Sequence, residues 1–199
     1  GMGTAEEAAD RHVSAFMWLL DPTGNRIELL SRPHEASRRY FASRDAGVTG
    51  FGHVGLCTTD PVRDQQFWLQ HFNAMVSDWI GPCPLMRVNP RHHQMALFPS
   101  TRKGIQHINY QVQEFDDVMR SFYFLKERNI KIVFGPGRHA TSGGIFVYFE
   151  GPDGMVYEYS NSDRKIIEDP ANYRPRQFPM HPSSFCVWGA KPDIAEFKE

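Results

Sequence analysis

A glycine–histidine strand motif occurs twice in this chain at a fixed offset, and no other feature limits the possible folds so tightly. Gly50-Phe51-Gly52-His53-Val54-Gly55-Leu56 is echoed by Gly104-Ile105-Gln106-His107-Ile108-Asn109-Tyr110, so that His107 lies 54 positions after His53 and Gly104 lies 54 after Gly50. A period of this size implies duplicated structural units. A later segment, Met155-Val156-Tyr157-Glu158-Tyr159, carries a lone carboxylate. His53, His107 and Glu158 each sit in an alternating or apolar run that reads as a β-strand, whose backbone would hold the side chain rigidly. Two histidines and one carboxylate on rigid strands form the ligand set of mononuclear non-haem Fe(II) sites, which keep coordination positions open for substrate and dioxygen.

The rest of each repeat is predicted by the same reasoning. A helix follows the first strand, starting at Asp60-Pro61 in one unit and near Glu114-Phe115-Asp116 in the other. Asp60 is a good N-cap, and proline suits the first helical position. Val62, Gln66, Phe67 and Leu69 give the first helix a mixed face, whereas Phe115, Val118, Met119, Phe122 and Leu125 form an apolar stripe on the second. Three shorter strand candidates complete each unit, punctuated by Gly81-Pro82, Asn89-Pro90, Gly135-Pro136-Gly137 and Gly143-Gly144. The unit is therefore strand, helix, three strands, which makes the fold class α+β with paired βαβββ modules.

A third echo lies near the N-terminus. Trp18-Leu19-Leu20-Asp21-Pro22-Thr23-Gly24-Asn25-Arg26-Ile27-Glu28 parallels the stretch from Tyr148 to Glu158, each with a Pro-x-Gly turn and a glutamate four positions after the glycine. This reads as the closing hairpin of another copy of the unit, most of which is absent. Residues 1–33 are assigned to that remnant and 34–49, with Arg38, Arg39 and Tyr40, to a linker. Residues 50–160 form the domain of two full units. From 161 to 199 the chain is rich in proline and polar residues and is expected to wrap the surface, anchored by Phe178, Phe185 and Trp188.

With 199 residues, 41% of them hydrophobic, the chain is long enough for one full domain with a proper core. A formal charge of -1 offers no electrostatic reason to expect nucleic acid or an anionic membrane as partner, so a small, roughly neutral ligand fits better. Cys57, Cys83 and Cys186 are odd in number and widely spaced, which suggests neither a disulfide framework nor a cysteine-based zinc site and points to a reducing cytoplasm. Glu6, Glu7 and Asp10 are unlike the basic start of a signal peptide.

Taken together these motifs resemble the vicinal oxygen chelate superfamily and, within it, the type I extradiol ring-cleavage dioxygenases of the biphenyl-2,3-diol 1,2-dioxygenase kind. The resemblance covers about residues 14 to 160 and implies a curved, half-open barrel of βαβββ modules, of which the N-terminal one is truncated here. It also implies that His53, His107 and Glu158 bind Fe(II), with Mn(II) accepted by the same set. The segment Arg91-His92-His93-Gln94-Met95-Ala96-Leu97-Phe98 matches the strand that carries the family's acid–base histidine, which by register is His93. Adjacent His92 competes for that role, since neighbouring strand residues point to opposite faces. Gly135-Pro136-Gly137-Arg138-His139 matches the loop with a second active-site histidine, His139, and Tyr148 matches a tyrosine that hydrogen-bonds the substrate oxygen. The implied partners are a small aromatic diol and O2, with no nucleic acid and no membrane. The missing N-terminal units would leave apolar surface and sheet edges, so a homo-oligomer is expected.

Two rival readings share the architecture. A glyoxalase-like lyase or isomerase would close its metal site with a fourth side-chain ligand, usually a carboxylate at the end of the first unit, but no Asp or Glu occurs between Asp78 and Glu114. The intact triad argues against a metal-free binding protein of the bleomycin-resistance type, whereas the missing N-terminal units leave an inactive remnant of a two-domain enzyme as an open alternative. Glu28 stands in the ligand register of its own hairpin without histidine partners and reads as a solvated glutamate; His12, His34, His71 and His181 read as surface residues.

Overall fold

The computed structural model describes residues 1–35, 44–161 and 166–198, so Arg38, Arg39 and Tyr40 of the expected linker lie outside the described residues. Two compact units are present, Gly1–Asp45 and Ala46–Glu199.

The first unit is a helix α1 (Ala5–Asp10) followed by an antiparallel hairpin of β1 (Val13–Leu20) and β2 (Arg26–Pro33). Ala8, Val13 and Phe16 form its small core. Glu28 lies opposite Trp18 and receives both Nε (2.7 Å) and a terminal nitrogen (3.0 Å) of Arg11, with Arg26 3.0 Å away. The glutamate read as solvated is therefore held in an ion-pair cluster on the hairpin surface, a long-range pairing with no local signature.

The second unit contains both repeats. The first is β3 (Val48–Thr58), α2 (Pro61–Phe72), β4 (Met75–Ile80), β5 (Cys83–Arg87) and β6 (Met95–Pro99). The second is β7 (Gly104–Val112), α3 (Phe115–Glu127), β8 (Ile132–Arg138), β9 (Ile145–Glu150) and β10 (Val156–Asn161). The helix starts follow the capping chemistry: the Asp60 carboxylate accepts from the Arg63 N–H at 3.0 Å, and the Asp117 carboxylate accepts from the Glu114 N–H at 3.0 Å. α2 ends at Asn73, whose φ of 50° is a left-handed position that asparagine tolerates. The stripe on α3 buries Val118 against Val112, Ile145 and Val147.

A tail strand β11 (Arg176–Phe178) completes a nine-stranded mixed sheet in the order β11-β4-β5-β6-β3-β7-β10-β9-β8. The two repeats meet at the antiparallel β3–β7 pair, and each places its last strand parallel to its first, β6 beside β3 and β10 beside β7. The tail reveals how strongly the sheet curls. The Phe178 carbonyl accepts from Gly81, just beyond β4, and Val187 donates to Arg138 at the end of β8, with α4 (Pro182–Phe185) between them. In a flat sheet β4 and β8, seven places apart, would be about 34 Å from one another. The nine residue-to-residue steps from Phe178 to Val187, four of them helical, reach only about 23 Å. The sheet must therefore curl around, and the tail bridges its open side.

The tail also contributes to the core, with two of the three expected anchors, Phe178 and Phe185, packed into it. Phe185, Cys186, Ile194 and Phe197 are buried in the same core as Leu85, Phe98, Phe134 and Tyr148, whereas the expected anchor Trp188 is 51% exposed. Among the described residues no helix is long and apolar enough to cross a membrane.

Candidate metal centre

Strand register explains why three residues so distant in sequence converge. On the central strand β7, Asn109 lies opposite His53 of β3 on one side and opposite Glu158 of β10 on the other. His107 precedes Asn109 by two residues, so its side chain falls on the same face. His53, His107 and Glu158 are 5%, 1% and 0% exposed, and their ligand atoms all lie within 4.8 Å of one another. This is the one such group among the described residues. The closeness of β3 to β7 depends on Gly55, which is paired with His107: a Cβ there would strike the His107 ring.

The donor set fits a divalent cation. An ion about 2.1 Å from each ligand atom, with bonds near perpendicular, would separate those atoms by about 3 Å. The observed separations are 2.9 Å between the two Nε2 atoms, 3.1 Å from His53 Nε2 to Glu158 Oε2, and 3.6 Å from His107 Nε2 to the same oxygen. Although it lies this close to His53, Glu158 Oε2 is buried and accepts no hydrogen bond, an unmet acceptor aimed at the point where the nitrogens meet. Gln106 Oε1 accepts from His107 Nδ1, which leaves the Nε2 lone pair for a ligand.

Electrostatics favour a neutral His107 and an ionised Glu158. Burial, and then the charge of His53, push the His107 pKa down to about 3. Burial alone would raise Glu158, but the neighbouring His53 and His139 outweigh it and hold the carboxyl well below its usual range.

The other three residues singled out by sequence surround the triad. His93 lies in a bend just before β6, not within the strand, and its ring centroid is 4.3 Å from that of His53. Burial and the neighbouring His53 and His92 hold it well below the usual imidazole value, so the ring is neutral. His139 follows β8; its Nδ1–H donates to the Phe185 carbonyl at 2.8 Å, and its Nε2 is 3.3 Å from both Glu158 Oε1 and the Tyr148 hydroxyl. Tyr148 lies opposite Glu158 in the β9–β10 ladder. Burial and the Glu158 charge push its pKa well above 10, which keeps the phenol a proton donor. His53, His107, His93, His139 and Tyr148 all line one cavity, walled by Leu85 and Phe98 from the sheet and by Phe185 and Phe197 from the tail.

Some residues at this site escaped sequence reasoning. Gln106, the acceptor for His107 Nδ1, carries no signal of that role in its strand motif. Phe197 gave no periodic signal in an irregular tail. Asp78, buried beside His92 at 2.8 Å, did leave one: an aspartate in the apolar run Met75-Val76-Ser77-Asp78-Trp79-Ile80 must find a partner or unfold the strand. His12, His34, His71 and His181 are exposed as expected, and Cys57, Cys83 and Cys186 are buried and in no disulfide.

Comparison with known proteins places these features in context. The model for the Glyoxalase/Bleomycin resistance protein/Dioxygenase superfamily matches residues 50–159. The chain is 27% identical over 187 residues to an iron-dependent extradiol dioxygenase of Rhodococcus jostii, covering 84% of this chain and 62% of that protein. It is 31% identical over 180 residues to a 3-methylcatechol 2,3-dioxygenase of Pseudomonas putida, covering 81% and 60%. Among solved structures, the Mn(II)-bound glyoxalase from Novosphingobium aromaticivorans superposes with a TM-score of 0.79 at 25% identity, over 93% of this chain and 61% of that one. A halotolerant catechol dioxygenase superposes with a TM-score of 0.83 at 23% identity, over 96% and 66%. The chain spans about three fifths of the length of the curated relatives it matches.

Proposed function

Because the chain belongs to the Glyoxalase/Bleomycin resistance protein/Dioxygenase superfamily, we propose that it is an extradiol dioxygenase that opens a catechol-type ring beside its diol with O2. The observation that carries this reading is the buried His53–His107–Glu158 triad, with an unmet carboxylate oxygen, whose two histidines line an aromatic-walled cavity. Those three residues would hold Fe(II), or Mn(II) in its place; bound there, the metal supplies a Lewis acid with positions open to both diol oxygens and to O2.

The chain's own residues then divide the remaining work. His93, neutral and in the cavity, takes a hydroxyl proton from the diol and returns it as the ring opens. Tyr148, kept protonated, donates to the diol oxygen that has lost its proton. His139, braced by the Phe185 carbonyl, stands on the same side and holds the substrate against the triad. Phe98, Phe185 and Phe197 exclude water and supply flat apolar contact for an aromatic ring. A lyase or isomerase of the same architecture is disfavoured, because residues 79–113 offer no carboxylate to close the site with a fourth ligand.

Residues 1–33 are read as the closing end of a further module, 34–49 as a linker, 50–160 as the catalytic domain and 161–199 as its tail. Met17, Leu20, Leu29 and Leu30, exposed on the hairpin, support association of copies through that region, and a monomer in sedimentation would contradict it. Three cysteines outside any disulfide support a reducing, cytoplasmic setting.

The test is anaerobic reconstitution with Fe(II), then 2,3-dihydroxybiphenyl and simple catechols in air. A yellow ring-cleavage product with matching oxygen uptake, abolished in Glu158→Ala, is the expected result. Iron-loaded protein that consumes no oxygen with any of these diols would refute the proposal.

A further inference from the structure

His92 is the neighbour of His93 in sequence and its partner in space. Its ring is 3% exposed, its Nε2 lies 2.8 Å from Asp78 Oδ2, and its Nδ1 lies 2.9 Å from His93 Nδ1. Asp78 is wholly buried in β4, where β11 runs alongside in register with it. Arg176 of β11 donates to the same carboxylate through its backbone N–H (2.9 Å), its Nε (3.1 Å) and a terminal nitrogen (2.6 Å), and the Tyr173 hydroxyl adds a contact at 3.4 Å. Burial would raise the Asp78 pKa, yet the bonds from His92 and Arg176 prevail and hold it at about 2, so the group is an anion. A terminal nitrogen of Arg176 also reaches the Thr141 carbonyl at 2.7 Å, and Thr141 lines the cavity.

With the Asp78 charge met by the Arg176 guanidinium and both imidazoles neutral, proton bookkeeping along this chain has one solution. A carboxylate only accepts, so the His92 nitrogen facing Asp78 carries the hydrogen. His92 Nδ1 is then a lone pair, and the nitrogen facing it, His93 Nδ1, must be the donor. His93 Nε2, on the far side of that ring, is left without a proton.

We propose that Asp78, acting through His92, is a positioning residue that fixes His93 in its Nδ1–H tautomer and so presents a bare Nε2 to the cavity. The inference rests on the reading of His93 as the acid–base group. It gives the tail a chemical role: Arg176 anchors the carboxylate from which the order of hydrogens is set. It also means that a proton arriving at His93 Nε2 requires no rearrangement, since the Nδ1–H bond to His92 is already made.

The experiment uses the full chain with 15N-labelled histidine, loaded with Zn(II) as a diamagnetic probe and examined by two-bond 1H–15N correlation near neutral pH. Expected in the wild type is a His93 with protonated Nδ1 and unprotonated Nε2. In Asp78→Asn the side-chain amide can donate to His92 Nε2, which moves the His92 hydrogen to Nδ1 and drives His93 to the Nε2–H form. A wild-type His93 already in the Nε2–H form overturns the proposal, as does an unchanged His93 pattern in folded Asp78→Asn. The wild-type spectrum decides the matter even where the variant does not fold. With Fe(II) and a diol, Asp78→Asn should lose at least about 100-fold in kcat with KM little changed. The expected tautomers in a wild type that turns over no diol would uphold the positioning chain and refute the dioxygenase reading, which separates the two failures.

Discussion

Phe197, next to the last described residue of the tail, should be among the most costly aromatic side chains to remove. It is 3% exposed, stacks on Phe185 with centroids 4.7 Å apart, and meets Phe98 at 4.9 Å, with Phe134 and Tyr148 at 6.0 Å each. Burying a phenylalanine contributes about 2–3 kcal/mol. The two closest ring pairs add about 0.5–1.5 kcal/mol each. These sum to about 3–6 kcal/mol, and core phenylalanine deletions cost about 3–5 kcal/mol, which is the loss expected for Phe197→Ala. For a chain of this size that is a fall in Tm of about 6–20 °C. The assay is urea unfolding followed by tryptophan fluorescence, alongside diol binding to the metal-loaded protein. Because Phe197 also walls the cavity, the affinity for an aromatic diol should drop together with stability. A loss below about 1 kcal/mol with unchanged diol affinity would refute the claim that the tail is an integral part of core and site.

Two other outcomes follow from the same contacts. Gln106→Leu removes the acceptor of His107 Nδ1 and should weaken metal binding about 10–100-fold while leaving the circular dichroism spectrum unchanged; unaltered affinity by competition titration would contradict the orienting role. Asp78 has a folded pKa of about 2, below its usual 3.8, so its stabilising contribution is complete above about pH 4 and is lost as pH falls towards 2. With solvent around Arg176, whose side chain is 46% exposed, that contribution is about 1–2 kcal/mol; equilibrium unfolding of wild type and Asp78→Asn should converge across this window, and parallel curves would count against it.

The modules and the triad were legible because they are written in local, periodic signals. Strand alternation, an Asp-Pro helix start and a repeat offset each need only a few neighbouring residues, and the register of β3, β7 and β10 then brings His53, His107 and Glu158 to one face. What escaped depends on contacts far apart in sequence. Arg176 meets Asp78 across 98 positions, and Phe197 meets Phe98 from the other end of the domain. No periodicity announces such pairings, which is why Trp188 looked as good an anchor as Phe185. His93 was expected within a strand; the bend before β6 instead lets His92 and His93 hydrogen-bond each other, a contact that strict alternation would forbid.

Anaerobic Fe(II) titration of the wild type, Glu158→Ala, His107→Ala and His93→Ala tests the account at its centre. One tightly held iron per chain is expected in the wild type and in His93→Ala, with none in the two triad variants and almost no diol turnover in His93→Ala. Iron retained by Glu158→Ala and His107→Ala, or lost equally from His93→Ala, would contradict the division between metal ligands and acid–base residue on which the proposed chemistry stands.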